Sequence, residues 1–222
     1  MNADNLKNIG IIMGGYSHEH KISLESGNVV YETLKENFNC YRILIKKNDW
    51  TLIDENDNLH KIDIPSFQIN GYPNLVFDCI FNAIHGTPGE DGKMQKYFDE
   101  KNIPITGCDS FQSELTFDKI KCLNFLSSKG IRVAPSVNLL TSNEYDIEEI
   151  EQTVGFPCFI KASNSGSSFG VYKVYNKTEM TKCLEAAFKI DNKVLIEAFI
   201  EGREFSVGVI SYEGSQVVLP IT

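Results

Sequence analysis

The sequence predicts an α/β fold, and three observations carry that prediction. Short β-branched apolar runs alternate with stretches of helical spacing through the first third of the chain. The run Val76–Ile84 (VFDCIFNAI) is apolar nearly throughout, as expected of a strand covered on both faces of a parallel sheet. Glycine-containing loops follow the carboxyl ends of two of these runs, at Gly14-Gly15 and His85-Gly86. A β-α-β-α order of this kind favours a parallel, doubly wound sheet.

Taken in order, Asn8–Met13 (NIGIIM) is the first strand, and Leu24, Val29, Val30 and Leu34 mark the helix after it. Cys40–Ile45 (CYRILI) is a second strand. Asn48 to Tyr72 is polar and rich in Asn, Asp and Gly, so it reads as a hairpin or irregular insert. Val76–Ile84 is the third strand, Met94–Lys101 a helix, and Ile103–Thr106 a short strand. A second unit starts near Gly107. Its first helix spans Thr116–Lys129, with Phe117, Ile120, Leu123 and Leu126 spaced by three and Gly130 placed to end it. Strands at Ser136–Leu140, Cys158–Ala162, Val171–Tyr175 and Val194–Ala198 alternate with helices at Glu148–Val154 and Glu179–Ile190. Glu204–Ser211 and Gln216–Leu219 are two further strands. The run to Thr222 has no closing helix, which reads as a stop inside a domain.

The 222 residues allow one large domain or two smaller ones, with enough interior for a real core. Apolar residues at 42% and charged residues at 23% exclude a mainly disordered or fibrous chain. A formal net charge of −9 argues against a dedicated nucleic-acid binder but leaves room for a local basic pocket. No apolar run approaches the roughly 20 residues that span a bilayer, and the polar start of MNADNLKNIGIIMGG does not resemble a signal peptide. Six cysteines, at 40, 79, 108, 122, 158 and 183, form no C-x-x-C pair, and several lie in apolar runs where buried thiols are usual. These features read as cytoplasmic.

Five stretches can carry chemistry. In Phe159-Ile-Lys161-Ala-Ser-Asn-Ser-Gly166-Ser167-Ser168-Phe169-Gly170-Val171 a strand delivers a lysine, then a loop of small residues turns. Such a loop brings backbone N–H groups and hydroxyls close to phosphate oxygens, or it is simply a flexible hairpin turn. The order is not that of a P-loop, and the next element reads as a strand. Val194-Leu-Ile-Glu197-Ala198-Phe-Ile200-Glu201-Gly-Arg-Glu204 ends an apolar strand in carboxylates, suited to a purine amine and ribose hydroxyls or else a solvated turn. Gly14-Gly15-Tyr16-Ser17-His18-Glu19-His20 lies beyond the first strand's carboxyl end, where ligands of open α/β sheets bind. Glu19 either holds a substrate ammonium or favours a helix N-terminus; the two histidines do not match the H-E-x-x-H metal pattern. Asn82-Ala-Ile-His85-Gly86-Thr-Pro-Gly89-Glu90-Asp91-Gly92 offers His85 to a carboxylate or to its own loop. Asp118-Lys119 opens a helix, with Lys119 directed to a phosphate or to solvent.

In family order and spacing, GGYSHEHKIS, NAIHGTPGEDGKMQ, LTFDK, PCFIKASNSGSSFGVYKV and VLIEAFIEGREFSVGVI resemble the D-alanine–D-alanine ligases of the ATP-grasp superfamily. The likeness covers essentially the whole chain, least of all Asn48–Tyr72. It implies an N-terminal substrate-side α/β domain over 1–107, an ATP-grasp small α+β lobe over 108–197, and the beginning of the large ATP-grasp lobe over 198–222. By position, Glu19 matches the acid that holds the first D-alanine's ammonium, and His85 the histidine near its carboxylate. Lys119 and Lys161 match lysines on ATP phosphates. Ser167 and Ser168 match serines of a closing loop, with Ser167 paired to Glu19. Glu197 matches the adenine-side acid, Ala198 and Ile200 main-chain adenine contacts, and Glu204 the ribose acid. Ala162 stands where the family usually has proline.

The implied reaction is ATP-dependent joining of two D-alanines through an acyl phosphate, for peptidoglycan precursor synthesis. The implied cofactor is Mg²⁺ (or Mn²⁺) and the implied assembly a homodimer, with no nucleic-acid or membrane partner. The family's metal-binding acid and asparagine, an arginine and a second lid loop lie beyond the position of Thr222. The resemblance therefore places the metal ligands past that residue and implies that the 222 residues alone are inactive. D-alanine–D-lactate and D-alanine–D-serine ligases share the pattern. A non-catalytic nucleotide- or amino-acid-binding module is the reading of a different class.

Overall fold

A computed structural model describes residues 6–141 and 144–222. The first five residues, whose polarity enters the signal-peptide argument, lie outside them. Strand β1 (Asn8–Gly14) is the centre of the first sheet. It pairs in parallel with β2 (Asn39–Lys46) on one side and β6 (Cys79–Asn82) on the other. Ile11, Ile12, Ile43, Ile45 and Ile80 are fully buried. Each such side chain contributes about 1.5–3 kcal/mol of burial free energy. Helix α1 (His20–Leu34) packs on β1, and its Gly27 sits so close that an added Cβ would stand 2.6 Å from the Cβ of Met13.

The polar insert is the main departure from expectation in this half. It contains a hairpin, β3 (Asp49–Ile53) and β4 (Leu59–Asp63), but adds β5 (Gln68–Ile69), and the three strands extend the sheet antiparallel from β2. The sheet is therefore mixed, in the order β5-β4-β3-β2-β1-β6. The cause is a period-two pattern masked by turn residues: Trp50, Leu52, Ile62 and Ile69 are buried, while their polar neighbours face outward. Phe67, Phe77, Tyr97 and Phe98 close around Trp50. Residues 103–106 contribute only a single bridge, Ile80 to Ile105, not a strand. Helix α2 (Lys93–Asp99) covers this end of the core through Met94 and Phe98.

The expected single helix over 116–129 is two helices. Helix α3 (Ser110–Phe117) stops and α4 (Lys119–Ser128) starts at Asp118, whose backbone is extended and whose carboxylate accepts from Lys121 N. The side-chain cap competes with helix continuation, and here it wins. Gly130, in the left-handed region at φ 76°, ends α4, with Gly130 N bonded to Ser127 O and Ile131 N to Leu126 O.

The second sheet runs β7 (Ser136–Leu140), β10 (Lys193–Ala198), β8 (Cys158–Ala162), β9 (Val171–Val174), with antiparallel pairing throughout. One face, carrying Cys158, Ile160, Val174, Val194 and Ile196, is buried against α5 (Ile147–Val154) and α6 (Lys177–Phe188). The other face carries Phe159, Lys161, Lys173 and Glu197. Beyond it, β11 (Val209–Tyr212) and β12 (Ser215–Val218) make a hairpin whose residues are all exposed. All six cysteines are free thiols; Cys158 is buried, Cys108 is exposed, and the rest are half-buried. No helix among the described residues is long and apolar enough to cross a membrane.

Candidate functional site

The parallel pairing of β1 with β6 brings the loops at their carboxyl ends side by side. Tyr16 N donates to Thr87 O at 3.2 Å, and Ser17 Oγ to His85 O at 2.8 Å. Gly15 makes the approach possible: at φ 77°, an added Cβ would lie 2.9 Å from Thr87 O. Helix α1 is pinned from below by Ser23, whose hydroxyl donates to Ala83 O and accepts from Gly14 N, both at 2.8 Å. Glu19, at the start of this helix, is thereby held where only 5% of its surface is exposed. Of the flanking histidines, His18 brings its Nε2 to 3.9 Å from Glu19 Oε2, while His20 turns away. His20 Nδ1 lies 2.8 Å from Gly15 O, and His18 stacks on Phe169 at a ring distance of 3.9 Å. His85 Nε2 sits 2.9 Å from Ser26 Oγ of α1.

The loop between β8 and β9 folds over Glu19. Ser167 Oγ donates to Glu19 Oε1 at 2.5 Å across 148 residues of sequence. The other oxygen, Oε2, is buried and has no hydrogen-bond partner among the described residues. Glycines flank it: a Cβ at Gly86 or at Gly166 would stand 3.2 Å from Oε2. A cavity of about 370 Å³ beside this carboxylate is lined by Ser17, His18, Glu19, Thr87, Gly166 and Phe169. A buried carboxylate oxygen without a partner costs free energy until a cation or donor reaches it. Ser167 and Ser168 are both left-handed, at φ 48° and 59°, so the closed loop carries backbone strain.

Lys119 reaches the root of the same loop. Its Nζ donates to Ser165 O at 2.5 Å, Ala162 O at 3.2 Å and Ser163 O at 3.3 Å. Burial, and then the charge of nearby Lys161, hold its amine below the usual lysine range. Lys161 points to the open face of the second sheet, where its Nζ donates to Glu197 Oε2 at 2.5 Å. Phe159, Phe199 and Lys173 line the same face, Lys173 lying 3.8 Å over the Phe199 ring. Ala198 is half-buried with its N–H bonded to Pro135 O at 2.9 Å, whereas Ile200 and Glu204 are exposed. Ser168 makes no side-chain hydrogen bond among the described residues. The structure thus gathers Glu19, Ser167 and Lys119 about one loop and places Lys161 with Glu197 next to it. Ser168, Ile200 and Glu204 stand apart from those bonds, and His85 is one loop away, on Ser26.

Residues 8–108 match the family model for the D-Ala–D-Ala ligase N-terminus, and residues 125–222 that for the D-Ala–D-Ala ligase C-terminus. The chain belongs to the D-alanine–D-alanine ligase family. A relative in this family, the D-alanine–D-alanine ligase of Flavobacterium johnsoniae, is 50% identical over 98% of this chain and 68% of its own length. That of Christiangramia forsetii is 43% identical over 97% of this chain and 67% of its own. The chain therefore spans about two thirds of the length of these ligases. D-alanyl-alanine synthetase A from Vibrio cholerae superposes with a TM-score of 0.86 at 30% identity, covering 99% of this chain and 67% of that one. The VanG D-Ala:D-Ser ligase from Enterococcus faecalis gives 0.83 at 30% identity, covering 98% and 69%.

Several residues of this D-alanine–D-alanine ligase family member escape sequence reasoning. Asp118 and Ser163, both buried, and half-buried Lys193 form a polar cluster under Lys119, and His18 with Phe169 adds a stacking contact to the closed loop. Asp118, Ser163, His18 and Phe169 lie in stretches that the sequence singles out, though with no partners assigned, and Lys193 lies in none of them. Their contacts become visible only when the loop after β8, strand β10 and the first loop meet.

Proposed function

We propose that this chain is the N-terminal two thirds of an ATP-dependent ligase that joins two D-alanines through an acyl phosphate, supplying a peptidoglycan precursor in the cytoplasm. The observation that carries the reading is Glu19. It is a buried carboxylate with one oxygen bonded by Ser167 and the other without a hydrogen-bond partner among the described residues, flanked by two glycines and a cavity, with His18 Nε2 3.9 Å away. This is a fitting receptor for a small ammonium group, which D-alanine offers; the role of His85, whose Nε2 lies on Ser26, toward the substrate carboxylate rests on the family resemblance.

Chemically, a carboxylate resists attack by an amine because it is anionic and its oxygen leaves poorly. Its oxygen attacks the γ-phosphorus of ATP, and ADP departs. The amine of a second D-alanine, having lost a proton, then attacks the acyl carbon, and phosphate leaves with the former carboxylate oxygen. Lys119 and Lys161 supply positive charge to the phosphates, and Glu197, Ala198, Ile200 and Glu204 line the nucleoside side. Positioning and charge neutralisation do most of the work in such transfers. The loop bearing Ser167 and Ser168 excludes water from an intermediate that hydrolyses readily.

Mg²⁺ or Mn²⁺ belongs to this reading, but no group of three His, Cys, Asp or Glu side chains among the described residues converges to hold an ion. The domain division at about 107 and 197 and a homodimer are part of the same proposal.

The test is ADP and phosphate release by the full-length protein. Release should require D-alanine, and release that ignores D-alanine overturns the reading. Glu19→Gln should raise the KM for D-alanine far more than that for ATP; the reverse pattern removes Glu19 from the ammonium site.

A further inference from the structure

Beneath the loop at 163–170 lies a second group of polar side chains that the reaction does not use directly. Asp118 is only 2% exposed. Its Oδ1 accepts from Ser163 Oγ at 2.7 Å and from Lys121 N at 3.1 Å, and its Oδ2 from Lys193 Nζ at 2.9 Å. Ser163 is fully buried and links everything around it. Its hydroxyl also accepts from Ile120 N at 3.2 Å, its carbonyl accepts from Lys119 N at 3.2 Å, and its N–H donates to Lys193 O at 3.0 Å. The root of the loop, the start of α4 and the start of β10 are thus tied at one point. Lys119 leaves that point with both its backbone N–H and its amine bonded to the loop's carbonyls.

A helix cap alone does not explain this arrangement. Capping needs one side-chain oxygen on a nearby N–H, and Asp118 provides it to Lys121. Its remaining bonds go to residues 45 and 75 positions away. Burial by itself would raise the Asp118 carboxyl, yet the bonds from Lys193, Ser163 and Lys121 N and the charge of Lys193 bring it below the ordinary value. The carboxylate is therefore held ionised beside Lys193, whose side chain also borders the wide cleft toward α2 and α3.

We propose that Asp118, fixed by Lys193 and Ser163, is a positioning residue that sets Lys119 and the root of loop 163–170 in the geometry that receives a nucleotide triphosphate. The inference rests on the reading of Lys119 as a phosphate ligand. It assigns to Asp118, Ser163 and Lys193 an effect on nucleotide that passes through Lys119 rather than through contact.

Asparagine caps a helix as well as aspartate does, so Asp118→Asn keeps the cap and removes the charge. In the full-length protein, Asp118→Asn and Lys193→Gln should each weaken ATP binding, measured by calorimetry, about tenfold, as expected for a lost charged hydrogen bond. The KM for D-alanine should move less than about twofold. Because both variants lose one shared interaction, Asp118→Asn/Lys193→Gln should be no weaker than either alone, and Lys193→Arg should retain most of the affinity. Variants that melt at lower temperature but bind ATP as tightly as the unsubstituted protein reduce the cluster to a structural one and overturn the proposal. If Asp118→Asn does not fold, Ser163→Ala decides: it leaves the ion pair in place and should still weaken ATP several-fold, and unchanged affinity overturns the proposal. An unsubstituted protein that binds no ATP removes the phosphate reading of Lys119, and this inference with it. An unsubstituted protein that binds ATP beside an unaffected Asp118→Asn removes the inference alone.

Discussion

Replacing Ser167 by alanine tests whether one hydrogen bond holds the loop at 163–170 closed. The bond from Ser167 Oγ to Glu19 Oε1 is 2.5 Å long and its acceptor is a buried carboxylate. Hydrogen bonds to charged groups contribute about 1.5–3 kcal/mol net. Since about 1.4 kcal/mol is a factor of ten, the closed population should fall roughly 10- to 150-fold relative to the open one. Alanine keeps the left-handed backbone at position 167 strained, by about 1–2 kcal/mol. Ser167→Gly removes the same hydroxyl but relieves that strain, of which glycine's larger chain entropy takes back about 0.5–1 kcal/mol. Its loop should therefore open less than that of the alanine variant. Amide hydrogen exchange of peptides covering 163–170, in the full-length protein without ligands, reads these populations directly. Exchange should accelerate within the loop and stay unchanged in β8. Exchange in Ser167→Ala equal to that of the unsubstituted protein, or a glycine variant more open than the alanine one, would refute the reasoning.

Other perturbations follow from the same geometry. Lys161→Ala should weaken ATP binding by about 1.5–3 kcal/mol and also lower thermal stability, because the largely buried Glu197 carboxylate loses its 2.5 Å partner; a normal nucleotide affinity would make it a purely structural partner of Glu197. Gly27→Ala gains about 1 kcal/mol of helix propensity, but its Cβ would meet Met13 Cβ at 2.6 Å, and such overpacking costs about 1–3 kcal/mol. The net should be a lower midpoint in urea, and an unchanged or higher one would show that α1 shifts freely on β1. The Asp118 carboxyl lies below its ordinary value in the folded chain, so it binds fewer protons there than in the unfolded chain near that value. Its contribution is present above the unfolded pKa and is lost as pH falls through the folded one. Asp118→Asn should therefore flatten the decline in denaturant midpoint below about pH 4, and an identical acid limb would remove Asp118 from that decline.

How much was legible beforehand depends on whether the cause was local. Strands at Ser136–Leu140 and Cys158–Ala162 match their expected bounds because apolar runs between turn residues specify them directly. Over 48–72 the hairpin alternative holds for β3 and β4, whereas β5 and the pairing with β2 are hidden because the two-residue alternation is short and interrupted by Asn and Asp. Three-residue spacing running through Asp118 predicts one continuous helix over 116–129. The break comes from the local cap of Asp118 on Lys121 N, reinforced by bonds to Ser163 and Lys193 that no local pattern contains.

By itself the sequence determined which residue types were available and in what order. It gave a lysine at the end of a strand, small residues in the loop after it, a glutamate beyond the first strand, and the five stretches that mark the family. These are local facts, set by spacing and side-chain chemistry. Tertiary structure alone decided that Ser167 would meet Glu19, that one oxygen of that carboxylate would be left buried without a hydrogen-bond partner among the described residues, and that Asp118 would be held from the loop after β8 and from β10. Such contacts depend on where two sheets and the loop between them pack, and packing is a property of the whole chain.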